Sequence, residues 1–154
     1  MSVFVADEQK EAVGLPDLHA LAEMVLREES YPADAEVTLL FVDETEIASY
    51  NGRFLDRDGP TDVLAFPVEE LLPGVVPDTN AQGPPLMLGD VVIAPSYVRR
   101  QADEHGVTFE DEMALMVTHG ILHLLGYDHV DEAEAERMEA RERQLLAKVG
   151  KERR

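Results

Sequence analysis

The amino-acid sequence predicts an α+β fold, a single domain with a mixed sheet of about four strands and about five helices. The chain has 154 residues, which is the length of one domain, so we expect residues 1–154 to form a single unit. Apolar residues make up 45% of the chain, enough to build a core. Short runs of β-branched residues, which are typical of strands, alternate with longer segments in which the apolar residues are spaced as in amphipathic helices.

The first part of the chain is predicted to contain two strands and two helices. Residues 3–5 have the composition of a short strand. Pro16 suits the first turn of a helix, because its missing N–H has no partner there in any case. Residues 36–42 are β-branched and apolar, with the length of a buried strand. Asp43 is placed to cap the next short helix, for which Gly52 offers a stop.

Two further strands are predicted at residues 62–66 and 90–94, on either side of a long loop. The loop, residues 67–88, contains five prolines and two glycines. A connection of this length is either a functional lid or a flexible insertion.

Three helices are predicted in the remainder of the chain. Pro95 opens the first of them, which ends near Gly106. Thr108 is placed to cap the next helix, whose side chains are apolar almost all round, so this helix is expected to be central and buried. Gly126 stops it, and Asp131 starts the last helix.

The charge of the chain is strongly negative and unevenly distributed. The formal net charge is −19, and residues 1–130 contain 25 acidic and 6 basic side chains. Such a surface repels nucleic acid at long range, so a polyanionic partner would need a local cationic patch or a bound metal ion.

Several classes of protein are excluded by what the sequence lacks. With no cysteine, the chain has no disulfides, no thiolate zinc site and no iron–sulfur cluster. No apolar run approaches the ~20 residues that span a bilayer, and the N-terminus lacks the basic and apolar regions of a secretory signal. We therefore expect a cytoplasmic protein with no membrane association.

The most informative stretch of the sequence is a cluster of three histidines. His119, His123 and His129 fall within eleven residues of one another and are three of the five histidines in the chain. On a helix, His119 and His123 lie on the same face, with Cβ atoms roughly 5–6 Å apart. Gly126 can end the helix in a left-handed conformation, so that His129 returns towards the same point. This spacing is that of the metzincin zinc signature and predicts a zincin-like metal helix.

Three imidazoles favour one zinc ion in a catalytic rather than a structural site. Structural zinc sites are closed by four ligands, whereas three protein ligands leave a fourth position for water. Zinc proteases with this spacing carry a glutamate directly after the first histidine as general base, but Gly120 stands there in this chain. A peptidase is therefore the less favoured function. A non-catalytic role, in which zinc only stabilises the junction of helix and loop, is a further alternative.

The chain resembles the YbeY family of bacterial single-strand-specific endoribonucleases. Residues 119–129 resemble the signature of that family, residues 59–67 resemble its Pro-Thr-Asp-Val-Leu-Ser-Phe-Pro segment, and residues 88–93 resemble its Leu-Gly-Asp-Ile strand. The resemblance implies one zinc ion on the three histidines and single-stranded RNA as the substrate. It also implies maturation of the small-subunit rRNA 3′ end and ribosome quality control, with the ribosome or ribosomal proteins as partners.

One position departs from the family pattern. Many members carry an arginine six residues before the threonine of the Pro-Thr-Asp-Val segment, and the resemblance implies that this arginine engages the substrate. Leu55 occupies that place here. Arg53 and Arg57 flank Leu55, two residues away on either side, and are the candidate substrate-binding residues.

Overall fold

A computed structural model describes residues 2–78 and 83–154 of the chain. The strands within these ranges are β1 (Ser2–Asp7), β2 (Glu36–Phe41), β3 (Val63–Pro67) and β4 (Met87–Ile93). The helices are α1 (Leu15–Glu28), α2 (Glu44–Leu55), α3 (Pro95–His105), α4 (Phe109–Leu124) and α5 (Glu132–Ala147). In these two ranges, none of the helices has both the length and the apolar character needed to cross a membrane.

The four strands form one mixed sheet, as the sequence predicts. Their order is β1-β2-β4-β3. β1, β2 and β4 are parallel to one another, and β3 pairs with β4 in the antiparallel direction at the edge of the sheet. The side of β3 away from β4 therefore lies at the border of the sheet, next to the cleft described below.

The sheet separates a large core from a small one. The large core contains Val91 of β4 together with buried side chains of α1, α4 and α5. On the opposite face, Val92 packs with Ile47 of α2 and Leu64 of β3 in the smaller cluster. α4 contacts α1, α3, α5, β3 and β4, so it is the central helix of the fold. This position confirms the expectation drawn from its apolar composition.

The predicted caps are present at the helix starts. A side-chain oxygen of Asp43 accepts a hydrogen bond from the Glu46 amide at 2.8 Å, and those of Thr108 and Asp131 make the equivalent bonds at α4 and α5. The predicted stop at Gly52 is wrong, because α2 continues to Leu55. A glycine is tolerated inside a helix, and α2 ends where the next residue takes a left-handed conformation, with φ 52°.

The first part of the loop at residues 67–88 packs against the rest of the protein. Residues Leu72 and Val75 form a tight antiparallel bridge, and the carbonyl of Pro73 accepts a hydrogen bond from Arg137 of α5 at 3.1 Å. β4 begins at Met87, three residues before the predicted strand start. Residues 79–82 lie outside the described residues, which include both ends of the predicted loop, and the choice between a lid and a flexible insertion stays a prediction.

Candidate metal centre

One face of α4 carries a row of four side chains, the last three of which line one cleft. Glu112, Met116, His119 and His123 follow one another at intervals of four, three and four residues, which keeps them on one side of a helix. The Nε2 atoms of His119 and His123 are 3.0 Å apart. The central helix therefore presents two imidazole nitrogens to a single point.

The chain reverses direction immediately after α4, and this turn brings in the third histidine. Gly126 has φ +101°, and a Cβ built there would lie 2.1 Å from the carbonyl oxygen of Leu71. Only glycine permits both this conformation and this close approach. Asp128 then accepts a hydrogen bond from the His129 amide at 2.8 Å, which holds the turn that carries His129.

The three histidines together fit one metal ion. One ring nitrogen from each of His119, His123 and His129 lies within 4.8 Å of the other two, and no other such group is found among the described histidines and acidic residues. Two nitrogens on a tetrahedral zinc ion, each bound at 2.0–2.1 Å, are separated by roughly 3.3 Å. The separation of the His119 and His123 nitrogens is close to that value. The predicted ligands are thus brought together, in a geometry that could hold a metal.

The surroundings of His123 keep its ring neutral. Burial, followed by the charges of His119 and His129, lowers the pKa of His123 from 6.5 to about 4. A protonated imidazole cannot bind a metal, whereas a neutral one can. His123 is therefore available as a ligand at neutral pH.

Glu142 of α5 holds the ring of His119 in place. Its Oε2 atom accepts a hydrogen bond from His119 Nδ1 at 2.9 Å, and its Oε1 atom accepts one from Arg153 Nε at 3.0 Å. Burial raises the pKa of Glu142, but the hydrogen bonds and charges of His119 and Arg153 outweigh it, so the pKa lies below its ordinary value. This carboxylate fixes the His119 tautomer and turns Nε2 towards the point shared with His123.

Glu142 was not predicted from the sequence, although a signal for it exists. It lies four residues after Met138 and three before Leu145, both of which are fully buried, so it occupies the apolar face of α5. A charged residue at such a position is almost never fully buried without a partner. The partner is on another helix, and the spacing of residues along α5 contains no information about it.

The histidines line a cleft of about 760 Å³. Arg57, Arg153 and Arg154 also line it, as does Leu55. Arg53, the other predicted substrate-binding residue, is not part of the lining. Its guanidinium lies 5.5 Å from the ring centre of Tyr50 and 5.2 Å from that of Phe54.

Carboxylates also border the cleft, on the strand and loop side. Asp62 lies just before β3, Glu69 and Glu70 follow it, and Asp128 belongs to the turn after α4. The cleft is therefore mixed in charge rather than basic throughout.

Gly120 allows α4 to lie closely on the sheet. A Cβ built on Gly120 would be 2.4 Å from Val91 Cγ1 and 3.3 Å from Val63 Cγ2. Gly120 stands at the sequence position at which zinc proteases place their glutamate, and in this chain that position lies against the sheet. A larger side chain there would require α4, Val91 or Val63 to shift, so the absence of the glutamate has a steric reason.

The chain is similar to known proteins over nearly its whole length. The family described as Endoribonuclease YbeY matches residues 4–150. The chain is 41% identical over 146 residues to Endoribonuclease YbeY of Mycolicibacterium gilvum, covering 95% of this chain and 82% of the relative. It is 42% identical over 147 residues to the Rhodococcus erythropolis protein of the same description, covering 95% and 81%. It also resembles the solution structure of TM1509 from Thermotoga maritima, with a TM-score of 0.61, 28% identity, and coverage of 96% of this chain and 91% of that one.

Proposed function

Because the chain belongs to the YbeY family of endoribonucleases, we propose that it hydrolyses phosphodiester bonds of single-stranded RNA in the cleft around His119, His123 and His129. We further propose that these three residues are the ligands of one zinc ion. The observation that carries both proposals is the meeting of three ring nitrogens at the floor of an open cleft. Zinc is favoured over harder metals because the donor set is three imidazole nitrogens.

The protein residues supply binding, orientation and charge for this reaction. His119, His123 and His129 would hold the ion, and Glu142 keeps the His119 ring turned towards it. When bound, zinc supplies Lewis acidity, which polarises phosphoryl oxygens and makes water a stronger acid. Arg57 lines the cleft and is the candidate that replaces the cation missing at Leu55, because Leu55 lines the same cleft and Arg53 stacks on an aromatic pair outside it.

A single strand suits this cleft better than a duplex. An unpaired backbone is flexible and its bases are free to stack, so it can bend into a concave site. The net charge of −19 disfavours long contacts with a rigid duplex. Arg57 is the cleft arginine that we propose offsets the negative charge that increases on the phosphate in the transition state.

We propose rRNA as the physiological substrate, with cleavage at the 3′ end of small-subunit rRNA and a role in ribosome quality control, in the cytoplasm. The family resemblance supports this assignment. The net charge of −19 supports a second component, a ribosomal protein or another basic partner that brings the enzyme to RNA.

The purified protein is expected to contain about one zinc ion per chain and to cleave single-stranded RNA faster than duplex RNA. Metal analysis measures the first, and cleavage of matched single-stranded and duplex RNAs, with and without a chelator, measures the second. An unstructured peptide serves as the control substrate and should remain intact. Undiminished RNA cleavage after complete removal of metal would disprove the role of the site. A chelator that lowers only the melting temperature, with no cleavage before or after, would indicate the non-catalytic alternative.

Replacing Glu142 by glutamine is expected to weaken zinc affinity by about 10–100-fold, because residues that orient metal ligands have effects of this size. Glutamine keeps the volume but removes the charge that faces His119 and Arg153. Competition against a chromophoric chelator measures the affinity.

The matched control for this variant is Glu139→Gln. Glu139 lies on the same helix, is 45% exposed and approaches Arg153 only at 3.6 Å. It should retain wild-type zinc affinity. Equal zinc affinities for both variants and the wild type would show that Glu142 does not orient a metal ligand.

A further inference from the structure

The segment after α5 returns to the cleft and places two arginines in its wall. Residues 151–154 follow α5 without regular secondary structure. Arg153 and Arg154 both line the cleft that contains the three histidines. Residues 1–130 contain only 6 basic residues and 25 acidic ones. Two of the three arginines that line the cleft therefore come from the segment after α5.

Each of these arginines is anchored through its Nε atom on a buried carboxylate. Arg154 Nε donates to both carboxylate oxygens of Glu112, at 2.8 and 2.9 Å, and Arg153 Nε donates to Glu142. Glu112 and Glu142 are each 1% exposed. Buried charges of this kind are retained only when they are paired, so the two carboxylates define where the guanidinium groups lie.

The anchoring leaves one edge of the Arg154 guanidinium unused. Its side chain is 29% exposed, and its Nη atoms make no hydrogen bond with the part of the chain that the structure describes. A guanidinium has five N–H donors in a rigid plane and binds phosphate in a bidentate manner. Arg154 thus presents a preoriented pair of donors at the cleft, which reduces the entropy lost on binding.

Arg154 is anchored on α4 at a residue that lies away from the three histidines. Its anchor, Glu112, lies seven residues before His119 on the same helix face, which corresponds to roughly 10 Å along the axis. The carboxylate that anchors Arg154 is therefore about two helical turns away from the first of the three histidines. Arg154 is placed to contact a phosphate further along the same RNA strand.

We propose that Arg154 is a substrate-binding residue that contacts an RNA phosphate adjacent to the cleaved one, with Arg153 forming the cleft wall beside it. This inference rests on the proposed function, because it assumes that RNA enters the cleft of the three histidines. Arg153 also contacts the carboxylate that orients His119, so Arg154 is the residue whose substitution isolates phosphate binding.

The test uses Arg154→Met, together with the double variant Glu112→Gln/Arg154→Met, which removes the buried charge that the single variant leaves without its arginine. We expect the Kd for a single-stranded oligouridine, measured by fluorescence anisotropy with chelator present, to increase about ten-fold in both. The slope of log K against log salt concentration should become shallower by about 0.7, the value for one phosphate contact on a single strand. With zinc present, KM should increase similarly while kcat and zinc content remain at wild-type values.

Arg143→Met is the matched control. Arg143 is exposed on α5 and does not line the cleft, so this variant changes the net charge equally and should bind the oligouridine as the wild type does. Arg154→Lys should recover part of the affinity, because it restores the charge without the bidentate geometry.

Other outcomes separate this inference from the function on which it rests. Wild-type Kd, KM and salt slope in the double variant would overturn the role of Arg154 and leave the endonuclease site intact. A lower melting temperature with unchanged Kd and KM would overturn it in favour of a purely structural ion pair. Failure of the wild type to cleave RNA with metal present would contradict the proposed function instead, whatever the Arg154 variants bind.

Discussion

Replacing His123 by alanine is expected to abolish both zinc binding and RNA cleavage. The ring centre of His123 is 4.5 Å from that of His119 and 5.0 Å from that of His129, which are 5.8 Å from each other. Loss of a direct ligand should exceed the effect of losing a residue that only orients one, so we expect more than about a hundred-fold loss of zinc affinity. Metal analysis and cleavage of single-stranded RNA measure the two effects.

The control for this variant is His105→Ala. His105 is exposed in the last turn of α3 and is not part of the cleft, so this variant should keep wild-type metal content and activity. A circular dichroism spectrum distinguishes loss of the site from loss of the fold. Full cleavage by a folded, metal-free His123→Ala protein would end the assignment of the three histidines as the reacting centre.

Replacing Gly126 by alanine is expected to destabilise the protein by about 3 kcal/mol, because two separate penalties apply. The backbone has φ +101°, which a residue with a Cβ rarely adopts, and the new Cβ would overlap the carbonyl oxygen of Leu71. Relief of that overlap moves the turn that carries His129, so zinc affinity should fall as well. Urea denaturation measures the first effect, and competition with a chelator measures the second.

Gly106→Ala provides a graded comparison. Gly106 also has a positive φ, +67°, but no atom lies within 4 Å of a Cβ built there. Only the conformational penalty applies, so we expect a loss of about 1 kcal/mol with unchanged zinc affinity. Equal, small losses in both variants would show that the contact between Gly126 and Leu71 does not restrain the turn.

The local features of the fold could be predicted from the sequence, whereas the pairing of its strands could not. Helix starts depend on neighbouring residues, and the caps at Asp43, Thr108 and Asp131 are where their sequence contexts place them. The antiparallel position of β3 at the edge depends on contacts with β4, more than twenty residues further along the chain. The early start of β4 at Met87 has the same origin, since pairing with neighbouring strands extends it.

The candidate site shows the same division. The three histidines could be found because two are one helical turn apart and a glycine brings in the third. Glu142 and Arg154 could not be found in this way, because Glu142 contacts His119 from α5 and Arg154 reaches the cleft from the segment after α5. Arg53 and Arg57 are each two residues from Leu55 in the sequence, so the sequence does not distinguish them. In the structure, the left-handed turn at Asp56 places Arg57 in the cleft, whereas Arg53 stays on the surface of α2.

The close approach of Gly120 to Val91 has an evolutionary consequence. A histidine spacing shared with peptidases suggests that one chemistry could arise from the other by a single substitution. In this chain, however, a glutamate at residue 120 would collide with the sheet before it could serve any substrate. A glutamate at that position therefore requires compensating changes at Val91 and Val63, the side chains that it would meet first. At least two substitutions, and not one, separate this chain from a protein with a peptidase-type base.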